Sequence, residues 1–513
     1  MLITGTTYSV SHYKEFEKTG NKDIFEDIID SMIMDGIAGM NESFRRAISS
    51  LPKDKKRLAI LSILDKDRNL FAKIKESITD INLSKIDHVK NIILMLREYV
   101  KIAEVEKKKF GEVMTPLDLV KEMLNTLPAE VWSNPNLKWL DPANGTGPFP
   151  AVVIYKLMKG LESWEPDADK RYKHIIENMI YVCELQPKNM FLYLCTVDPK
   201  DELACNIYTG SFLEEGFDYH MKNVWSVDKF DIVIGNPPYN SGQNASGKRG
   251  GGDTLWDKFV IKSINNMVEN GYLLFVHPTL WRKPQSEKSS TKLVSEIMMK
   301  KQIHYLEMHD SSDGMKVFGA GTRYDFYLLE NTTIYKETLI NGEDRTNVKV
   351  DLSNYNFIPN SNLDFFNKIK ANDGDDKCTI IFNATNYETR KKWVSSEQND
   401  EFRYRLVHST PKGGTRYMYS SRNDNGHFGI SKVIFGDSGI YDVIIDMNGE
   451  LGMTQHSMAI EVKSVEEANN IKNALLSKDF SDFLKTVMWS NFQIDWRLFS
   501  FLKKDFWKEF IKE

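Results

Sequence analysis

Asn236-Pro237-Pro238-Tyr239 directly follows the apolar run Asp231–Ile234 and Gly235. These four residue types in this order suit one kind of chemistry. Successive prolines fix the backbone and carry no N–H, so their carbonyls stay available as acceptors. The asparagine carboxamide adds a second acceptor oxygen. Two acceptors converging on one point hold an NH₂ group and draw its lone pair out of conjugation, which makes the nitrogen a nucleophile. Tyr239 is then placed to stack on the flat ring that carries the amine.

Two further features describe a ligand pocket. The loop Asp141-Pro142-Ala143-Asn144-Gly145-Thr146-Gly147-Pro148-Phe149 follows an apolar run ending at Leu140 and leads into a helical stretch. Glycines after a first strand let the backbone turn tightly and approach a ligand. Neither G-x-G-x-x-G nor a G-K-[ST] phosphate loop is present. An acid leads the loop instead, which favours a cationic ligand over a pyrophosphate. Glu184 ends the next apolar run, Ile180–Cys183. An acid at that point is placed to accept both hydroxyls of a ribose. A ligand with a ribose and a positive end fits both acids, and S-adenosylmethionine has both.

The elements that must position these residues alternate. Strands are expected over Leu137–Leu140, Ile180–Cys183, Asp231–Ile234 and Tyr272–His277, and helices over Val120–Leu127, Phe149–Lys159 and Trp256–Met267. Such alternation predicts a mostly parallel, doubly wound α/β sheet of the Rossmann-like kind, with ligands at the carboxyl ends of its strands. Residues 1–105 read as a helical domain, because Ile, Met and Leu recur at three- and four-residue spacing. The catalytic domain is expected over 106–335. An α+β domain follows over 336–513, with a hairpin at Asn341-Gly342, strand-like pieces in KCTIIFNA, KVIFGDS, YDVIIDM and SMAIEV, and a helical, aromatic end from Val465.

Composition narrows the function classes. The chain has 513 residues, 41% hydrophobic and 27% charged, with a net charge of −5. Those proportions are globular. There is no apolar run long enough for a membrane span and no secretory leader pattern, so a cytoplasmic protein without a membrane partner is expected. Cys183, Cys195, Cys205 and Cys378 form no C-x-x-C pair, so neither a disulfide scaffold nor a metal site is expected.

The motifs resemble those of amino-group DNA methyltransferases of the N6-adenine type with γ-class motif order. They are similar to the methyltransferase halves of Eco57I-like restriction-modification proteins and to TaqI-type enzymes. The resemblance covers residues 110–331 well and the C-terminal region loosely. It implies a SAM-dependent methyltransferase fold and methyl transfer to N6 of a flipped-out adenine in double-stranded DNA, in a restriction-modification or phage anti-restriction setting. By motif, Phe110, Thr115 and Pro116 lie in the first cofactor motif, whose Thr-Pro contacts the methionine end. Asp141, Pro142, Ala143, Gly145, Gly147 and Phe149 form the glycine loop, and Glu184 is the ribose acid. Ser211 and Phe212 occupy the segment that holds the cofactor adenine, with Ser211 where the family usually has Asp. Asn236, Pro237, Pro238 and Tyr239 are the catalytic tetrad, with Asn236 also beside the cofactor. Phe318 matches the aromatic on the other face of the target base. The gap between Asp141 and Glu184 is longer than usual in the family, which points to an inserted segment around Trp164–Tyr172.

Sequence specificity needs a further surface, since the tetrad recognises only an amine on a ring. Between Lys377 and Lys432 stand ten Lys/Arg against five Asp/Glu, interleaved with Tyr387, Trp393, Tyr404, Tyr417 and Tyr419. Lys412, Arg416 and Arg422 are the expected DNA contacts there. Lys248 and Arg249, in the glycine-rich stretch after the tetrad, are expected on the DNA backbone. A separate restriction endonuclease is a candidate partner. Glu461-Val462-Lys463 matches a nuclease pattern on paper but reads better as a strand passing into a helix. Protein-glutamine or RNA N-methylation, and a non-catalytic DNA-specificity subunit, are the competing readings. The 274 residues beyond Tyr239 favour DNA over the glutamine enzymes, which end soon after the catalytic sheet.

Overall fold

The computed structural model describes residues 115–513, apart from 199–201, 241–253, 288, 334–335, 425–426, 490–492 and 512–513. The expected helical domain over 1–105, Phe110, and the loop with Lys248 and Arg249 lie outside the described residues. The chain forms two compact units. One runs to Pro278 and takes in Ser290–Leu339 and Lys349–Ser353; the other comprises Thr279–Ser289, Ile340–Val348 and Asn354–Glu513.

In the first unit helices and strands alternate. The elements are α1 (Leu117–Leu124), β1 (Trp139–Asp141), α2 (Pro148–Gly160), α3 (Ala168–His174), β2 (Ile180–Glu184), α4 (Pro187–Val197) and β3 (Asn206–Thr209). They continue as α5 (Glu215–Asn223), β4 (Phe230–Gly235), α6 (Trp256–Asn265), β5 (Met267–Pro278), α7 (Lys292–Met299), β6 (Gln302–His309), α8 (Ser311–Phe318) and β7 (Tyr324–Glu330). The sheet order is β3-β2-β1-β4-β5-β7-β6, continued by the short strands β8 (Thr338–Asn341) and β9 (Asn347–Val350). The first five strands pair in parallel, while β7 runs antiparallel to both β5 and β6. This is the expected doubly wound, mostly parallel α/β sheet. The order reverses between β1 and β4, and such a switch point opens a crevice at the carboxyl ends of the strands.

The central strands are buried on both faces, which is why they read as continuous apolar runs rather than alternating ones. Val120, Met123 and Leu124 of α1 and Val153, Ile154 and Leu157 of α2 share one core with Val182, Ile232, Ile234, Leu274 and Phe326 of the sheet. The expected strands are present. However, β5 begins five residues early, at Met267, and runs through Asn270-Gly271, which reads as a turn. The chain absorbs the irregularity there with a positive φ at Asn270 and a register shift against β4. The long gap before Glu184 holds α3, which is capped by Asp167: its Oδ1 accepts the N–H groups of Asp169 and Lys170.

The second unit is α+β. Its strands are β10 (Ile380–Ile381), β11 (Val394–Ser395), β12 (Tyr404–Ser409), β13 (Arg416–Ser420), β14 (Lys432–Gly436), β15 (Ile444–Asp446), β16 (Gly452–Met453) and β17 (Ser457–Glu461). They form two four-stranded sheets, β10-β17-β14-β15 and β11-β13-β12-β16. Helices α9 (Leu363–Ile369), α10 (Val465–Leu476), α11 (Lys478–Val487) and α12 (Arg497–Ser500) complete it. Glu461 ends β17 and α10 follows, so Glu461-Val462-Lys463 does lie where a strand passes into a helix. Among the described residues, no helix is long and apolar enough to cross a membrane.

Candidate active site

The site residues expected from the sequence lie at the ends of the first four strands. Asp141 ends β1, Glu184 ends β2, Thr209 ends β3 with Ser211 two residues on, and Asn236 follows Gly235 at the end of β4. Backbone bonds tie the loops to one another: Asn144 N–H donates to the Cys183 carbonyl at 2.9 Å, and Gly210 N–H to the Glu184 carbonyl at 3.0 Å. The glycine loop is locked at its end by Gly147, whose φ of +90° suits glycine. A Cβ there would stand 2.5 Å from Cδ2 of Tyr193.

The Glu184 carboxylate is held from two sides. Oε2 accepts the Gly145 N–H at 2.8 Å and Oε1 accepts the Gln186 N–H at 2.7 Å. The acid expected at the ribose thus also organises the glycine loop. Asp141 lies beneath that loop and is almost fully buried. Its Oδ1 accepts the Ala143 N–H at 3.1 Å. Its Oδ2 is buried without a hydrogen-bond partner among the described residues. Burial pushes this carboxyl up to about 8; the bond from Ala143 opposes the shift and the nearby Glu184 adds to it.

The tetrad is tied to the start of the described chain. Asn236 Nδ2 donates to Thr115 Oγ1 at 3.0 Å. That bond uses one of the two amide hydrogens and joins the tetrad to Thr115 across the cavity wall. Tyr239 has its hydroxyl buried with no hydrogen-bond partner among the described residues, and burial raises its pKa. The Phe318 ring stands edge-on to Tyr239, with centroids 6.4 Å apart and planes at 85°.

A single cavity joins these parts. Its walls include Thr115, Pro142, Ala143, Gly145, Phe149, Glu184, Ser211, Phe212, Asn236, Pro237, Pro238 and Tyr239, all expected from the sequence. Pro116, Asp141, Gly147 and Phe318 are next to the cavity in the chain or through contacts but do not line it. The walls also include Asn144, Thr146, Pro148, Gly210 and Leu213, which lie within the quoted motifs without an assigned role, and Leu185, Gln186, Leu255 and Phe259, which the sequence reading did not single out. Several are neighbours of motif residues. Leu255 and Phe259 belong to the start of α6, whose apolar face gave a helix signal but no ligand signal.

The Phe212 ring is buried. It packs on Phe217 at 4.8 Å and Phe259 at 5.4 Å, with Lys262 Nζ 5.3 Å from its centroid. Ser211 Oγ accepts the Leu213 N–H at 3.2 Å, and Glu214 Oε1 accepts the Ser211 N–H at 3.1 Å. Apolar and aromatic walls, the Glu184 carboxylate among them, and a buried Asp141 carboxyl oxygen without a hydrogen-bond partner among the described residues fit a nucleoside with a positive end. The residues present therefore fit S-adenosylmethionine.

In the second unit the three expected DNA contacts differ from one another. Lys412 and Arg416 are exposed, on either side of Gly413-Gly414 between β12 and β13. Lys412 Nζ lies 5.3 Å from the Tyr441 ring centroid. Arg422 is paired with Asp424 through two bonds of 2.5 Å and lies over Trp393. Lys432, counted in the basic segment, is fully buried in β14 and bonded to Asp446 Oδ2 at 2.6 Å. Its charge serves the core, not a surface.

The chain is similar to several known proteins. The family model of the Eco57I restriction-modification methylases matches residues 169–318, the stretch from α3 to Phe318. An uncharacterised adenine-specific methylase of Mycoplasma pneumoniae is 27% identical, over 33% of this chain and 55% of its own length. The chain thus spans about half the length of the curated relative it matches. Among solved structures, a modification subunit ascribed to a type I restriction enzyme of Vibrio vulnificus YJ016 is 17% identical, with a TM-score of 0.37, covering 50% of this chain and 51% of that one. A nuclease-deletion mutant of the type ISP restriction-modification enzyme LlaGI, in complex with a DNA substrate mimic, is 12% identical, with a TM-score of 0.47, covering 82% of this chain and 47% of that one.

Proposed function

We propose that the chain methylates N6 of adenine in double-stranded DNA, in a restriction-modification setting, with S-adenosylmethionine as donor. The observation that carries this reading is that Asn236, Pro237, Pro238 and Tyr239 line the same cavity as the glycine loop and Glu184, with Asn236 Nδ2 bonded to Thr115 at its wall. The donor supplies an electrophilic methyl group on a sulfonium. The chain's own residues do the rest. Asn236 and Pro237 take the two amine hydrogens and raise the nitrogen's nucleophilicity, and Tyr239 stacks on the base. Glu184 and the glycine loop fix the donor's nucleoside. Since the sulfonium becomes neutral, no oxyanion hole is needed, and proximity and orientation supply most of the acceleration.

An adenine inside a duplex cannot reach this cavity, so it must be flipped out, at a cost of a few kcal/mol. Contacts of the second unit with the phosphate backbone and groove offset that cost. Lys412 and Arg416, exposed beside Gly413-Gly414, are the side chains best placed to serve. Arg422 contributes less, because Asp424 already neutralises it.

Single-molecule sequencing of DNA from cells expressing the protein tests the reading, reporting modified base and motif together. N6-methyladenine at one recurrent motif is expected, and it should disappear with Asn236→Ala while S-adenosylmethionine still binds. Unmodified adenine with the intact chain, or full activity in Asn236→Ala, would refute it.

A further inference from the structure

The slot beside Tyr239 is closed to a planar ring. Carbon atoms in contact sit about 3.5 Å apart, so a base sandwiched between two parallel rings needs them about 7 Å apart. Tyr239 and Phe318 stand 6.4 Å apart and nearly perpendicular. Phe318 must therefore turn before it can cover the second face of a base.

What surrounds Phe318 shows which parts can give and which cannot. Phe318 is the last residue of α8 and Gly319 follows with φ +68°, a conformation that suits glycine. The other end of the helix is anchored. Asp310 caps it by accepting the Asp313 N–H at 2.8 Å. Asp313 Oδ2 in turn accepts the Tyr324 hydroxyl at 2.6 Å and lies 2.8 Å from His309 Nδ1. The Tyr324 ring lies flat on the His309 imidazole, with centroids 4.3 Å apart and planes at 4°. Its edge meets Phe318 at 4.8 Å. Tyr324 and His309 are both buried, at the ends of β7 and β6.

We propose that Asp313 and Tyr324 are positioning residues for the base-holding ring of Phe318, an inference that rests on the methyl-transfer reading above. They pin the first turn of α8 to the ends of β6 and β7 and set a rigid aromatic backstop behind Phe318. Only its side chain and the glycine-flanked end then need to move when a base arrives. The ring turns from edge-on to parallel and stops against Tyr324, at the spacing a base requires.

The test uses the full chain and a duplex built on the motif found by sequencing, once with the normal partner base and once with an abasic site opposite the target adenine. Tyr324→Phe removes the hydroxyl bond and keeps the ring; Asp313→Asn keeps the shape and removes the charge. Both variants are expected to bind S-adenosylmethionine within twofold of the wild type and to lose roughly tenfold in kcat, the worth of a hydrogen bond to a charged group. The loss should shrink on the abasic duplex, where flipping costs less. With 2-aminopurine at the target position, the fluorescence change on binding should be altered in both variants. Wild-type kinetics in both variants would overturn the proposal. So would an equal loss on the two duplexes together with weaker donor binding, the pattern of a purely structural role. A wild-type chain that methylates no adenine would instead sink the reading on which the proposal stands.

Discussion

The buried carboxyl of Asp141 makes donor binding depend on pH. It sits under the glycine loop with Oδ2 unpaired among the described residues, and desolvation holds its pKa at about 8, against an ordinary value of 3.8. The sign for folding follows. The folded chain binds this proton more tightly than the unfolded chain, so the group costs nothing below pH 4. Stability is lost as pH rises from about 4 to about 8, and the loss is complete above that. Its full size is on the order of 5 kcal/mol.

A cationic ligand reverses the balance. A unit positive charge held roughly 6 Å away, at an effective dielectric constant of about 20, favours the carboxylate by about 3 kcal/mol, or about 2 pH units. The carboxyl then titrates lower in the complex than in the free chain, so binding near neutral pH should release a fraction of a proton. Calorimetry of S-adenosylmethionine binding in buffers of different ionisation heat measures that fraction directly. S-adenosylhomocysteine, with one positive charge fewer, should release much less. Asp141→Asn keeps an acceptor for the Ala143 N–H but cannot titrate, so its binding should not vary with buffer. Release that is absent in the wild type, or that persists in Asp141→Asn, would refute the assignment of a charged Asp141 to the bound state.

Three other outcomes follow from the same geometry. Gly147→Ala combines a φ of +90° with a Cβ 2.5 Å from Tyr193, so it should cost about 2 kcal/mol or more, read as a lower melting temperature together with lost donor binding. Ser211→Ala removes the acceptor of the Leu213 N–H, a bond of about 1 kcal/mol, and should weaken donor binding roughly fivefold in a direct titration without changing the modified base. Lys432→Met alone removes the counter-charge of the buried Asp446 carboxylate and should destabilise the second unit by about 3–5 kcal/mol, whereas Lys432→Met with Asp446→Asn, which drops the charge and keeps an acceptor for the Glu450 or Leu451 N–H, should recover part of that loss in thermal unfolding.

The parts of the molecule legible in the sequence are those where one residue's type is dictated by chemistry or by a sheet's interior. Asp141, Glu184 and Asn236 could be assigned to strand ends because β1, β2 and β4 are buried on both faces and read as unbroken apolar runs. β6 and β7 were not legible as sheet partners, because antiparallel pairing with β5 is decided by long-range contacts that leave no local pattern. The tally of ten basic residues against five acids could not reveal that Lys432 points into the core, since the register that sets it opposite Asp446 belongs to β14 and β15 together. Phe318 was ambiguous for a similar reason. It is partly packed against the core of the first unit and also faces Tyr239, and one sequence position cannot say which contact matters.

The contact between Thr115 and Asn236 shows what the structure adds to a motif. The two residues are 121 positions apart, and each belongs to a different motif. Thr115 was expected at the methionine end of the donor and Asn236 at the target amine. Their hydrogen bond makes one unit of the two. A carboxamide presents either an acceptor or a donor, and only the acceptor can hold an amine hydrogen. In this arrangement the Thr115 hydroxyl accepts from Nδ2 at 3.0 Å. On the proposed roles of these residues, donor binding near Thr115 and activation of the target amine at Asn236 would share this one hydroxyl contact, and Thr115→Val should therefore alter methyl transfer as well as donor binding.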